Sequence, residues 1–333
     1  MSRNLPDWIV DLSTPASIAG LGKKAANLAE LAAAVEGART PRGFALPGAT
    51  LAPFIHGYRR EISSILRSGL SSSRTHREIE ALMAAAAPPL VDGLVELLDD
   101  RFDAGTLFAV RSSAHPVVGG VQIAEDSEEH SLAGQYSSFL RVPREHVPQA
   151  VARCCASLFN ARSIEIFDVA NDESYLDSTM TVLVQEMVEA SVSGVMMTLD
   201  PIAAADGTNV LGIEAAYGAC EAIVAGKTQG DLMLVDRASR AVVERQIGSK
   251  RWRVELPVYS GSDAGESLVP VPDSLRSVFA LSPDEVAAIA ELGLRIESHF
   301  GPPQDIEFVL DARRNVVITQ ARPITTLTKE NSQ

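Results

Sequence analysis

Three polar residues toward the end of the chain are spaced for metal and phosphate chemistry. They are Glu307, Gln320 and Arg322, within GPPQDIEFVLDARRNVVITQARPI (Gly301–Ile324). Asp305–Leu310 alternates polar and apolar residues, Asp311–Asn315 supplies turn residues, and Val316–Gln320 is a second β-branched run, which is the pattern of a β-hairpin. A period of two puts Ile306, Phe308 and Leu310 on one face and Asp305, Glu307 and Val309 on the other. Folding the strands back about Arg313–Arg314 brings Glu307 roughly opposite Gln320, and Arg322 follows on the face of Gln320. A carboxylate and an amide oxygen suit Mg²⁺, and a guanidinium fork suits phosphate oxygens. The same pattern fits an amphipathic edge hairpin with solvated charges, so companion groups elsewhere decide its meaning.

Two such groups lie upstream. GLGKKAANLAELAAAV (Gly20–Val35) carries Leu28, Leu31, Ala32 and Val35 at helical spacing, a glycine turn running into an amphipathic helix. Lys23 and Lys24 sit at its start, where free backbone N–H groups and the helix dipole favour an anion. Leu107–Val110 reads as a buried strand, and Arg111-Ser112-Ser113 comes off its end with a guanidinium and two hydroxyls suited to phosphate. Gly226-Lys227-Thr228 imitates the tail of a P-loop. That pattern needs a glycine five residues earlier, where Glu221 stands, and it fails.

The elements that must position these groups alternate strand and helix. TPRGFALPGAT (Thr40–Thr50) reads as turn, short strand and a Thr50 helix cap. Leu51–Phe102 is helical, interrupted at Gly69–Ser73 and Pro88-Pro89. Val117–His130 is glycine-rich and then acidic, a loop that can close over a ligand, and Ala133-Gly134-Gln135 is a turn into the next strand. Val147–Phe167 reads as a helix, with Cys154-Cys155 inside it as packing residues. Met180–Val188 and Ser193–Pro201 read as apolar strands. Ser282 with Glu285 forms a capping box opening a helix that runs to about His299, and Gly301 ends it.

A chain of 333 residues with 46% hydrophobic and 5% aromatic residues fits an α/β (α+β) protein of about two domains. The net charge of −14 argues against nucleic acid or an anionic membrane as the main partner. No signal peptide and no membrane span is read, and Cys154, Cys155 and Cys220 match no zinc spacing, so a cytoplasmic protein with free thiols is expected.

Taken in order, GKKAANLAEL with PRGF, VRSSA, SLAGQYSSFL, SLFNAR, VQEMV with SGVMMTLDP, YGACEAIVAGK, and LSPDEV…RIESHFGPPQDIE…TQARP form a set with a specific likeness. The chain resembles, from about Leu21 to Thr326, the ATP-binding domain of phosphoenolpyruvate synthase, pyruvate phosphate dikinase and rifampicin phosphotransferase, a diverged ATP-grasp fold. The resemblance implies two lobes enclosing the nucleotide: residues 1–110 and 189–333 forming the body, and residues 111–188 a middle lobe with the phosphate loop. It implies ATP and Mg²⁺ as ligands. Lys24, Arg111 and Arg322 would act on the ATP phosphates, and Glu307 and Gln320 would hold the metal. Gln185, Glu186, Met187 and Val188 would lie along the adenine, where backbone amides and Glu186 could read the base edge. Glu221 would face the sugar. Three departures stand out: Lys23 replaces a family glycine, WGLGE reads YGACE with Cys220 for a glycine, and the segment Val117–His130 is longer.

In the resembling enzymes ATP is split to AMP and a phosphoryl group passes to a histidine on a separate domain. None of His56, His76, His115, His130, His146 and His299 lies in the threonine-serine-histidine context of that carrier, and His299 reads as a helix C-terminal residue facing the dipole. Three readings follow. The chain is the ATP-binding part of a dikinase-type phosphotransferase whose histidine lies on another domain or partner, a stand-alone enzyme activating a small-molecule acceptor, or a nucleotide-binding module without catalysis. The joint presence of Lys24, Arg111, Glu307, Gln320 and Arg322 argues against the third, since loss of any one could cost roughly 10³-fold in phosphoryl transfer.

Overall fold

The computed structural model describes residue 6 and residues 8–13, 21–85, 92–122, 136–261 and 265–324. The chain divides into two compact units. One comprises Met1–Ala29, Arg42–Met187 and Val258–Ala264, and the other Glu30–Pro41, Val188–Pro257 and Gly265–Gln333.

The first unit is built on strands β1 (Val10–Asp11), β2 (Gly43–Leu46), β3 (Phe108–His115), β6 (Ser138–Val142) and β7 (Thr179–Glu186), with a small ribbon of β4 (Val117–Val118) and β5 (Val121–Gln122). The five longer-range partners form one antiparallel sheet in the order β1-β2-β7-β3-β6. Its helices are α1 (Gly22–Ala34, whose last turn belongs to the second unit), α2 (Gly48–Gly57), α3 (Arg59–Leu66), α4 (Ser72–Ala84), α5 (Asp92–Arg101), α6 (Val147–Ala156) and α7 (Ala161–Ile166). Alternation along the strands sends Phe108, Val110 and Ala114 of β3 and Met180, Val182 and Val184 of β7 into one core with Ile55, Ile62, Ile79, Met83, Val151 and Leu158 of the helical layer. Removing such side chains from water at about 25 cal/mol per Å² is what holds the helices on this face. Arg153 is buried in α6, donating to Glu80 Oε1 (2.8 Å) and to Tyr259 Oη (3.0 Å) while stacking on the Phe139 ring. That contact secures the returning segment that contains Tyr259.

Several local expectations shift. The strand after Leu107 does not stop at Val110. It continues to His115, because Ser112 and Ser113 pair with Val182 and Thr181 of β7, so Arg111 projects from the middle of a strand. The same strand crosses the 110/111 position where a lobe boundary was expected. Helix α2 begins at Gly48 rather than behind a Thr50 cap, and the Thr50 hydroxyl donates instead to the Trp8 carbonyl at 3.0 Å. The helix expected over 147–167 breaks at Asn160, whose side chain accepts from the Ser163 N–H and caps a new helix. Residues 86–91 and 123–135, which include Pro88-Pro89 and Ala133-Gly134-Gln135, lie outside the described residues.

The second unit carries β8 (Val192–Met197), β9 (Val210–Tyr217), β10 (Asp231–Asp236), β11 (Val242–Gln246), the pair β12 (Trp252–Glu255) and β13 (Ser267–Pro270), β14 (Gln304–Leu310) and β15 (Val316–Pro323). Helices α8 (Pro201–Ala205), α9 (Glu221–Val224), α10 (Asp273–Arg276) and α11 (Pro283–Phe300) connect them. Six strands make an antiparallel sheet ordered β11-β10-β9-β8-β14-β15. One face presents Ile306, Phe308, Met196, Ile213 and Met233, all buried, and α11 packs over it through Val286, Ile289, Leu292 and Ile296. Gly293 permits close approach: a Cβ there would stand 2.2 Å from the Met196 Cε. The capping box of Ser282 and Glu285 is formed as expected, and Gly301 closes the helix with φ 90°.

A fully buried ion pair joins β10 to the segment before β12. Asp231 and Lys250 are both 0% exposed and bonded through Oδ1. Asp231 also accepts from the N–H groups of Gly248 (2.9 Å) and Ala280 (2.7 Å). The Ala280 carbonyl in turn accepts from Arg314 of the hairpin turn, which also forks onto Glu285 at 2.5 and 2.6 Å. Hydrogen bonding to Arg314 holds the Glu285 carboxyl below the ordinary carboxylate range, so this lock is complete above that range and is lost as Glu285 takes up a proton in acid. Replacing Lys250 by Met strands a buried carboxylate. The expected loss is about 3–5 kcal/mol, read from urea denaturation followed at Trp252 in a Trp8→Phe background. An unchanged midpoint would show the pair to be energetically idle.

Candidate functional site

The sequence-derived site residues are divided between the units: Lys24, Arg111, Gln185, Glu186 and Met187 in the first, Val188, Glu221, Glu307, Gln320 and Arg322 in the second.

In the first unit the sheet has one face buried against the helical core, and the register places polar groups on the other. Arg111 lies directly across from Leu183 and Ser138, Ser113 from Thr181, His115 from Thr179, and Ala109 from Gln185. Opposed residues of an antiparallel pair share a face, so Arg111, Ser113, His115, Thr179, Thr181 and Gln185 form one polar surface. Helix α1 starts against it. Gly22 has φ +72°, and a Cβ there would lie 2.4 Å from Ser113 Oγ. Lys24 follows in the same first turn, half-buried. Its charge is felt at the buried Cys154 thiol, which burial and the neighbouring Cys155 push well up and which Arg153 and Lys24 pull partly back. The three cysteines are buried free thiols, as their sequence context suggested.

Gln185 is 2% exposed, and its Nε2 has no hydrogen-bond partner among the described residues. A buried amide donor left in that state carries a desolvation cost of about 1–3 kcal/mol. Glu186 behaves differently from the expectation for a base-reading side chain. It alternates to the opposite face of β7, across from Phe108, and its carboxylate pairs with Arg42 Nε at 2.9 Å. The Glu186 and Met187 N–H groups are donated to the carbonyls of Arg42 and Leu107, both at 2.8 Å. Two amides of the Gln185–Val188 segment, which the resemblance laid along the adenine, are therefore spent at the sheet end.

In the second unit the hairpin is as the alternation suggested, with one addition. Glu307 lies directly opposite Gln320 and Asp305 opposite Arg322, on the face away from the buried Ile306, Phe308 and Leu310. The pairing shifts by one residue between Glu307 and Phe308, a β-bulge at Thr319, whose hydroxyl donates to the Glu307 carbonyl at 3.3 Å. Asp305 accepts from Arg322 Nε at 3.0 Å and Nη2 at 2.9 Å, which fixes the plane of the guanidinium. Asp305 was placed on the Glu307 face by period alone, and its role as partner of Arg322 was legible from the same register. Glu221 opens α9, half-buried.

No cluster of three or more His, Cys, Asp or Glu side chains that could hold a metal occurs among the described residues. Glu307 and Gln320 nonetheless supply two oxygen donors from directly opposed positions, where Cβ atoms are about 4.5–5.5 Å apart. Such a two-donor set fits Mg²⁺, which commonly binds one or two protein oxygens and takes the rest from water and phosphate.

The model of the pyruvate phosphate dikinase AMP/ATP-binding domain matches residues 18–333. The chain belongs to this family. It is 32% identical over 315 residues to the "Probable phosphoenolpyruvate synthase" of Methanothermobacter thermautotrophicus, covering 92% of this chain and 44% of that protein. It is 32% identical over 337 residues to a rifampicin phosphotransferase of a Streptomyces species, covering 96% of this chain and 36% of the relative. The prodigiosin synthesizing transferase PigC of Serratia marcescens is 32% identical over 253 residues, 75% of this chain and 26% of its own. The chain thus spans less than half the length of each of these relatives. No described helix is long and apolar enough to cross a membrane.

The unpartnered Gln185 amide makes a prediction with opposite signs. Gln185→Met removes a buried unsatisfied donor, so the nucleotide-free chain should gain stability, with Tm rising by about 2–4 °C. Mg-ATP affinity should fall about tenfold or more by calorimetry. A destabilised variant with unchanged affinity would make Gln185 a packing residue.

Proposed function

We propose that this chain binds Mg-ATP and is the ATP-cleaving part of a phosphotransferase of the dikinase type, working in the cytoplasm through an ATP-grasp arrangement. The observation that carries the proposal is the hairpin face on which Glu307 opposes Gln320 while Asp305 orients Arg322. Glu307 and Gln320 would hold Mg²⁺. Lys24, at the start of α1, and Arg111, on the polar face of β3, would bind the phosphates, with Arg322 on the group being transferred. Gln185 would take the nucleotide as a hydrogen-bond acceptor for its idle Nε2, and Glu221 would face the sugar. The adenine would be read by the chain at Glu186–Val188 through groups other than the two N–H donors already spent.

Bound Mg²⁺ would neutralise phosphate charge and bring the phosphate oxygens into fixed geometry. The chain's own part is placement. Phosphoryl transfer needs cations held where charge spreads over the equatorial oxygens, and little covalent help. Arg322 is suited to this because Asp305 already holds its fork, so less side-chain freedom is lost on meeting the phosphate. Relatives more than twice as long support an acceptor histidine on a further domain or partner.

The test resolves AMP from ADP after incubation with ATP and Mg²⁺. AMP formed only when a histidine-bearing protein is supplied supports the dikinase reading. Turnover with a small acceptor alone replaces it with a direct kinase or ligase. ATP bound without turnover under either condition leaves a binding module. Glu307→Ala and Arg322→Ala are each expected to lower turnover by roughly 10³-fold or more while circular dichroism and Tm stay near wild type. Full activity in either variant removes the hairpin from the mechanism.

A further inference from the structure

His115 is not among the phosphate ligands proposed above, yet it touches the starts of two helices. On one side is Gly22, the first residue of α1: a Cβ built there would lie 3.0 Å from His115 Cε1 and 3.1 Å from Nε2. On the other is Gly48, the first residue of α2, whose Cβ would lie 3.5 Å from His115 Cδ2. The ring is tied to the sheet by Thr181, whose Oγ1 lies 3.0 Å from His115 Nε2 and accepts from the Gly48 N–H at 3.1 Å. The direction of this bond depends on the ring tautomer, and the arrangement inferred below has the Thr181 hydroxyl donating to Nε2 of a neutral ring.

We propose that His115 is a positioning residue that keys the first turn of α1, and with it Lys24, to the sheet through Thr181, and that it does so only as the neutral imidazole. The inference rests on the phosphate role given to Lys24. Among the described residues, the charges that the neighbouring elements bring to this face are of one sign. Helix α1 brings Lys23 and Lys24, and β3 brings Arg111 on the same face. Strand β7 contributes the uncharged Thr179 and Thr181, β2 contributes Gly43 and Ala45 to this face, and the first turn of α2 has no acidic residue. Two helix N-termini add their positive dipole ends. A proton on His115 would add a cation to this setting, and none of these described groups is a carboxylate that could receive it. It would also turn Nε2 into a donor, which reverses the inferred direction of its bond with Thr181. Burial pushes the His115 pKa below its ordinary value, in keeping with a ring built to stay neutral. The sign follows: the contribution is complete above about pH 6.5, the ordinary histidine value, and is lost as pH falls toward the lower folded-state value.

The experiment uses the full chain and two variants. His115→Gln keeps an acceptor oxygen near the place of Nε2 and does not titrate, and His115→Ala removes the acceptor. Amide exchange of residues 22–26, corrected for intrinsic rates, and the Kd for Mg-ATP are measured from pH 5.5 to 8. In the wild type, protection of the α1 first turn and Mg-ATP affinity should both fall about tenfold on acidification. His115→Gln should keep neutral-pH values and show only the titration of the nucleotide itself. His115→Ala should be weak throughout. Identical pH profiles for wild type and His115→Gln, or full protection in His115→Ala, overturn the proposal. If exchange follows the proposal while Mg-ATP affinity follows none of these changes, the keying of α1 stands and the phosphate role of Lys24 is what fails.

Discussion

Each unit of this chain obeys one constraint: an antiparallel sheet must bury a face, and the two-residue pleat then decides where every other side chain goes. In the first unit the helical layer takes Phe108, Val110, Met180, Val182 and Val184. Arg111, His115, Thr181 and Gln185 are left to the opposite side as a geometric by-product of that burial. In the second, α11 covers Ile306 and Phe308, and Asp305, Glu307, Gln320 and Arg322 share the other side. The polar surfaces are therefore anchored by the cores behind them. Displacing Arg111 or Glu307 would require moving a strand whose reverse side is packed.

The hairpin was legible in the sequence because it is local. Two alternating runs and a turn of Asp311–Asn315 bring Glu307 to within one residue of Gln320, and the bulge at Thr319 completes the opposition. The α11 capping box was legible for the same reason. What the sequence did not show depends on distant partners. Whether β3 ends at Val110 or runs to His115 is settled by its pairing with β7, about seventy residues away. The placement of Glu186 on the core-side parity of β7, across from Phe108 and paired with Arg42 at the sheet end, depends on the parity of β7, which a uniformly apolar run such as MTVLV conceals. Likewise nothing in VRSSAHP announces that His115 will meet both Gly22 and Gly48.

The buried Asp231–Lys250 pair shows how the hairpin turn is held. Both groups are removed from water, so their attraction must offset a large desolvation cost, and the two extra N–H donors to Asp231 help it do so. Because one of these donors belongs to Ala280, and the Ala280 carbonyl is taken by Arg314, the pair, the start of α11 and the turn share one set of hydrogen bonds. Glu285 caps a helix and receives Arg314 with the same carboxylate. Loss of that single side chain would be felt by two elements at once.

The bulge at Thr319 has a consequence for how this segment can vary. Ile318 faces the core opposite Phe308, and Gln320 and Arg322 have the same parity as Ile318. On an uninterrupted strand they too would point inward. The extra residue works as a frameshift in the pleat, moving everything after it to the polar side. Position 319 can therefore change its side chain with modest effect, whereas deleting it would turn the amide and the guanidinium into the hydrophobic interior and bring Ala321 outward. For this strand the count of residues is under stricter constraint than their identity.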